Sequence, residues 1–154
     1  MTKITLADVV ALRKKTKAGV MDCRKALEQS GGDMAKAQAW IREKGIQKAA
    51  KRVDREVAQG MIEAYSHADG KIVAVVELRC ETDFVARNAD FRNLAHEIAL
   101  QVTSMNPKTV EELLEQSWIR DESRKIGDLV KETVGKFGEN IVVAKIARFE
   151  LGKK

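Results

Sequence analysis

Few residues in this chain have the types and spacing for chemistry. Cys23 and Cys80 fall in segments of different expected structure, with no partner at metal-ligand spacing. Both read as small buried thiols, since a redox pair or an intersubunit bridge needs a geometry that spacing does not supply. His67 lies in an expected turn and His96 on the polar side of an expected helix, so both read as surface residues rather than as a base beside a nucleophile or half of a metal pair. Gly31-Gly32 precedes a helix but lacks the further Gly or the Gly-Lys-Ser/Thr that would hold phosphates, so no bound nucleotide is expected. Glu81 and Asp83 are neighbouring carboxylates just after a strand, and no second acidic cluster accompanies them. The chain therefore reads as a non-enzyme with no cofactor and no metal.

One stretch is out of keeping with an ordinary connection. In Cys80 to Asn88, CETDFVARN, a strand ends before a helix has begun, yet the acidic Asp83 is followed by the large apolar Phe84 and Val85. Phe84 could tuck back under the preceding hairpin while Asp83 caps the next helix. Alternatively the loop presents an aromatic wedge beside an anion, as loops on a rigid scaffold often carry function.

The elements that must position this stretch follow from periodicity. Thr5 caps a first helix with Asp8 as its capping-box partner, Leu6, Val9 and Val10 share a face, and the helix ends near Thr16. A second helix follows Ala18-Gly19, carries Val20, Cys23 and Leu27, and stops at Gly31-Gly32. Asp33 caps a third, with Ala37, Trp40 and Ile41 as its stripe and Gly45 at a left-handed C-terminal cap. Residues 1–45 thus read as a three-helix module, and 46–56 (IQKAAKRVDRE) as a helical linker whose charges are either a solvated face or a contact for phosphate or an acidic surface.

Residues 57–154 read as an α+β core. Segments 57–66 and 71–80 form an antiparallel hairpin through His67-Ala68-Asp69-Gly70, and 141–151 supplies a third strand. Ile72 to Val76 and Ile141 to Ala144 are apolar on both faces, so the three-stranded antiparallel sheet needs two covers. Helices form one: Phe91, Leu94, Ala95, Ile98, Ala99 and Val102 make an amphipathic stripe closed by Asn106-Pro107. A short helix starts at Thr109 with Glu112, and a further one carries Ile126, Leu129, Val130, Thr133 and Phe137. The second cover is another subunit or domain.

Length and composition bound the class. The 154 residues suffice for a real core, and 44% hydrophobic and 33% charged residues with a single Pro fit a folded, mostly helical chain. No apolar run is long enough to cross a bilayer, and Met1-Thr2-Lys3-Ile4 lacks the core of a signal peptide, so a cytoplasmic protein with no membrane contact is expected. The net charge of +5 is uneven, with residues 1–56 carrying 14 Lys/Arg against 7 Asp/Glu. The basic front suits an acidic partner, protein or nucleic acid.

Three stretches carry a resemblance. ETDFVARN, LRKKTKAGVMDCRKAL (residues 12–27) and GENIVVAKIARFEL (residues 138–151) resemble, in that order, motifs of the elongation factor Ts family. The resemblance implies a ubiquitin-associated-like N-terminal module, a core sheet that dimerises in short members, and guanine-nucleotide exchange on elongation factor Tu. It also implies site residues. Thr82, Asp83, Phe84 and Val85 match the stretch that approaches the magnesium side of elongation factor Tu, while Arg13, Val20, Met21 and Arg24, the last replacing a commoner Lys, match positions touching its nucleotide domain.

The chain departs from the family at Lys17, where Gly is usual, and in a shorter region between Asn106-Pro107 and Gly138. A basic RNA- or ribosome-binding protein is the alternative from another class, but seven aromatics with no stacking platform and acids interleaved through the core argue against direct nucleic-acid contact. An adaptor using the helical module alone would leave CETDFVARN unexplained.

Overall fold

The computed structural model describes residues 3–154, so the leader reading of Met1 and Thr2 lies outside the described residues. Helix α1 spans Leu6–Thr16 and begins with the expected capping box: Asp8 N–H donates to Thr5 Oγ1 at 3.2 Å, and Thr5 N–H donates to the Asp8 carboxylate at 2.9 Å. It ends at Lys17 in the left-handed conformation (φ 57°), a position that favours Gly, and the turn nevertheless forms. Helix α2 spans Val20–Gln29 and α3 spans Met34–Ala50.

The module's core is Val9, Leu12, Cys23, Ala26, Leu27 and Ala37, with Trp40 and Ile41 against it. Leu6 and Val10, expected on the buried face, are instead 77% and 46% exposed. Only the narrow stripe of Val9 and Leu12 is buried on α1.

Gly45 corrects a second expectation. It is no C-terminal cap, because α3 runs through it to Ala50, and the residues after it turn at 51–55 rather than continuing as a helix to 56. Gly45 instead marks a helix crossing whose closeness excludes a side chain on the partner helix. Helix α7 (Ile126–Phe137) crosses α3 there, and a Cβ on Gly135 would lie 2.3 Å from Gly45 Cα. Beyond the crossing, Arg52 holds the end of α3, donating from Nη1 to Lys48 O at 2.9 Å and from Nε to Gly138 O at 3.0 Å.

The sheet has the expected topology. Strand β1 (Gln59–His67) pairs with β2 (Ile72–Cys80), and the terminal strand β5 (Ile141–Glu150) pairs with the other edge of β2, all antiparallel. Ala74, Val76, Leu78 and Cys80 are buried with Val143 and Ile141 in the main core, which includes Phe91, Leu94, Ala95, Ile98, Ala99 and Val102 of α5 (Ala89–Met105). The opposite face carries Val73, Val75, Ala147, Ile62 and Phe149, the last two 68% and 66% exposed.

Between α5 and α7 the chain departs in part from the expected single short helix. Helix α6 (Val110–Glu115) starts at the Thr109 cap, but the Glu112 side chain accepts from Lys108 N rather than Thr109 N. A small hairpin of β3 (Ser117–Trp118) and β4 (Asp121–Lys125) was not anticipated. Fully buried Gln101 of α5 organises it, donating to Ser117 O at 3.0 Å and accepting from Ile119 N at 3.0 Å. Hydrogen-bonding both ends of the amide offsets the cost of burying it. Among the described residues no helix is long and apolar enough to cross a membrane.

The crossing predicts an asymmetry between its two glycines. Gly135→Ala must push the α3 backbone aside and should cost about 2 kcal/mol as overpacking. A Cβ on Gly45 meets its nearest atoms at 3.7 Å, so Gly45→Ala should be neutral or stabilise by up to ~1 kcal/mol through helix propensity. Urea denaturation of the two variants checks the difference.

Candidate functional site

The stretch that stood out in the sequence is a single helical turn fixed at the end of the central strand. After Cys80 the chain stays extended at Thr82 (φ −122°, ψ 153°) and then forms the one-turn helix α4, Asp83–Ala86. Thr82 Oγ1 accepts from Val85 N at 3.4 Å and donates to Glu139 Oε1 at 2.6 Å. Helical phase then separates the neighbours: Val85 and Ala86 point into the core, at 9% and 5% exposure, and Phe84 points out at 88%.

This decides between the two readings of the loop. Phe84 does not tuck under the hairpin, and Asp83 does not cap the next helix. The cap of α4 is Thr82 and that of α5 is Asn88, which accepts from Asp90 N at 2.9 Å. Asp83 pairs with Arg87 at 2.7 Å across an exposed turn. Of the four expected residues, Asp83 and Phe84 face solvent, Thr82 organises the turn, and Val85 anchors it.

Glu139 is the residue that sequence reasoning missed. Its carboxylate accepts from Glu81 N at 3.2 Å, Thr82 N at 3.0 Å and the Thr82 hydroxyl. In return the Glu81 carboxylate accepts from Asn140 N at 2.7 Å, with Arg55 3.6 Å away. Asn140 Nδ2 donates to Arg55 O at 2.8 Å. These bonds cross-brace the end of β2 and the start of β5. Glu81 and Asp83 are thus acceptors in separate braces rather than an acid-base pair. Burial and the Glu139 and Asp83 carboxylates push the Cys80 thiol up to about 11, leaving it protonated, with its S–H directed at Thr82 O at 3.1 Å. Both cysteines are free and buried, in different clusters.

The N-terminal set lies on the other cluster. Val20, Met21 and Arg24 are exposed on the first turns of α2, and Arg13 is exposed in the last turn of α1. Arg24 pairs with Glu28 at 3.0 Å. The fold does not merge this surface with the Phe84 turn, but it joins their supports. Lys48 of α3 pairs with Asp22 of α2 at 2.6 Å, and Arg52, just past α3, holds the carbonyl of Gly138, the residue before Glu139. The histidines stay outside both surfaces: His67 contacts Tyr65 Oη at 3.1 Å, and His96 meets Glu63 at 3.1 Å between α5 and β1.

Comparison with known proteins agrees with this architecture. The family model described as "Elongation factor TS" matches residues 81–154, which begin at the braced turn and end with β5. The chain is 41% identical to elongation factor Ts of Oleidesulfovibrio alaskensis over an alignment of 197 residues, covering 99% of this chain and all of the relative. That alignment is longer than the 154 residues here, so the relative has residues with no counterpart in this chain. The similarity to elongation factor Ts of Leptospira biflexa is 41% over 92% of this chain and 94% of the relative. With elongation factor Ts of Myxococcus xanthus it is 35% over 99% of this chain and 91% of the relative. The chain belongs to the elongation factor Ts family.

Proposed function

We propose that the chain acts in translation elongation as a guanine-nucleotide exchange factor, binding elongation factor Tu with GDP and promoting release of the nucleotide without making or breaking bonds. The observation that carries this reading is Phe84, an aromatic side chain 88% exposed on a turn whose backbone is clamped by Glu139 and whose neighbour Val85 is buried. Single exposed apolar side chains are common, but an aromatic held out on a braced turn is the rigid anchor that a partner pocket rewards.

The mechanism follows from what holds a guanine nucleotide in its host: contacts to the phosphates and to Mg²⁺. Phe84 wedges between host side chains, and the Asp83 carboxylate redirects the polar network around the metal. Arg13, Val20, Met21 and Arg24 grip the nucleotide domain so that the wedge enters in one orientation. Thr82 and Val85 hold the wedge from behind. Linkage makes the effect reversible, because the factor weakens nucleotide binding by the same ratio that nucleotide weakens the factor's binding, so incoming GTP expels it. The setting is the cytoplasm. Direct nucleic-acid binding is the weaker reading, because the chain has only seven aromatics and the core interleaves acidic residues with its basic ones.

The second cover of the sheet is a further copy of the chain. Val73, Val75, Ala147 and Phe149 form an apolar patch that Glu77, Arg79 and Lys145 border at one end, the pattern of an apolar centre with a polar rim. A two-fold dimer buries this patch against itself.

Release of labelled GDP from elongation factor Tu tests the exchange reading. The wild type should accelerate it; Phe84→Ala should lose about thirtyfold, the equivalent of ~2 kcal/mol for an anchoring aromatic, and Asp83→Ala a smaller factor. No acceleration by the wild type would sink the reading, while variants as fast as wild type would remove only the site assignment. Glu139→Ala, which frees the turn, should slow release less than Phe84→Ala and lower stability by about 1–2 kcal/mol. Sedimentation equilibrium should show a wild-type dimer that Phe149→Asp converts to monomer; a wild type that stays monomeric at all concentrations would disprove the sheet-mediated pairing.

A further inference from the structure

The face between the module and the core carries charge where crossing helices usually place apolar side chains. Three residues before each glycine of the crossing stand opposite charges, Arg42 before Gly45 and Glu132 before Gly135, with their atoms 3.4 Å apart. Arg124 of β4 pairs with the other oxygen of the same carboxylate. Glu132 and Arg124 are largely buried, yet Glu132 Oε1 and Arg124 Nε make no hydrogen bond, so part of the cluster is held by charge rather than by directed bonds. Burial pushes the Glu132 carboxyl above its ordinary range despite the two guanidinium groups beside it. Such a cluster returns little net stability for its desolvation cost, and a cluster that returns little stability can still specify one arrangement over others.

The cluster shares that task with the other contacts between α3 and the core. A cleft of about 320 Å³ opens along this edge, with Lys15, Asp22 and Lys48 on the module side and Lys136 on the core side. Trp40 and Ile41 line it as well, so module and core face one another here across a cleft of mixed polarity. The module's orientation rests on the glycine crossing, on Ala49 buried in the main core, on the charges around Glu132, and on Arg52 reaching Gly138 O.

We propose that Glu132 is a positioning residue for partner engagement: through Arg42 and Arg124 it fixes the three-helix module on the core, so that the Arg13, Val20, Met21 and Arg24 surface and the Phe84 turn meet one partner in a single orientation. The proposal rests on the exchange reading and adds a lock that this reading does not require. Releasing the lock leaves both contact surfaces intact but lets them move independently, which lowers the effective concentration of the second contact once the first has formed. Affinity falls, and the rate of release at saturation stays.

The test uses the full chain with Glu132→Gln, which keeps size and removes charge. Arg42→Met keeps the aliphatic stem without charge, and Arg42→Lys keeps the charge. Hydrogen exchange of α3 amides beyond Arg42 should quicken on the order of tenfold in Glu132→Gln and Arg42→Met, with β2 and α5 unchanged and Arg42→Lys like wild type. In GDP release from elongation factor Tu, the half-saturating concentration should rise about tenfold in the first two variants with the plateau unchanged. Unchanged exchange in α3 overturns the proposal, and so does a loosened α3 with an unmoved half-saturating concentration. A fall in the plateau alone also overturns it, because it would tie Glu132 to the wedge instead. A wild type that does not accelerate release sinks the exchange reading and this proposal with it, while the α3 exchange still decides whether the lock exists, so the two failures are distinguishable.

Discussion

The contact between the backbones of Gly45 and Gly135 is the constraint from which the rest of the molecule follows. The module's buried set is six residues, three of them the small Cys23, Ala26 and Ala37, which is little apolar surface to set against the entropy of ordering three helices. By extending α3 through Gly45 to Ala50, the chain ends the same helix inside the main core, where Ala49 is buried. The two clusters therefore share an element rather than a linker. The close approach has a second effect: it brings the end of α3 to the Gly138 carbonyl, next to the glutamate that braces the Phe84 turn.

How much of this was legible depends on whether the signal was local. The stripe of α5 is buried where the period placed it, and the Thr5–Asp8 box and the Asp33 cap formed as their residue types require; the hairpin turn formed one residue later than expected, at 68–71, with Ala68 in the left-handed region. Gly45 reads locally as a cap because a missing Cβ suits a left-handed position; only Gly135, ninety positions away, reveals the crossing, and it is on Gly135 that the crossing excludes a Cβ. The β3–β4 hairpin was invisible for a different reason. Its second strand, Asp121–Lys125, is wholly polar, so no alternation marks it, and it is held by a buried amide on another helix.

The site divides in the same way. CETDFVARN was recognisable as unusual from its residue types, but whether Phe84 faces in or out is set by the phase of a single helical turn. That phase is fixed when Thr82 caps Val85, and Thr82 is itself held by Glu139, 57 residues along the chain. Charge-assisted bonds from Thr82 and Glu81 to one carboxylate are stronger than neutral ones, which lets a turn of four residues stay ordered although isolated turns of that length do not. The outward direction of Phe84 thus depends on long-range pairing as well as on the local Thr82 cap.

A short chain has few places from which to draw binding energy. Burying one phenylalanine returns about 2–3 kcal/mol, while a micromolar complex requires ~8 kcal/mol after the cost of association has been met. Phe84 alone falls short by a wide margin, and the Asp83 carboxylate, already paired with Arg87, must give up that partner to act elsewhere. On the exchange reading the remainder comes from the module surface, and two contact surfaces add their energies only if both can be engaged at once. In a chain shorter than its relatives the orientation of the module is therefore part of the affinity. If the exchange reading holds, the ion cluster at Glu132 serves binding as well as folding, although it touches no expected contact residue.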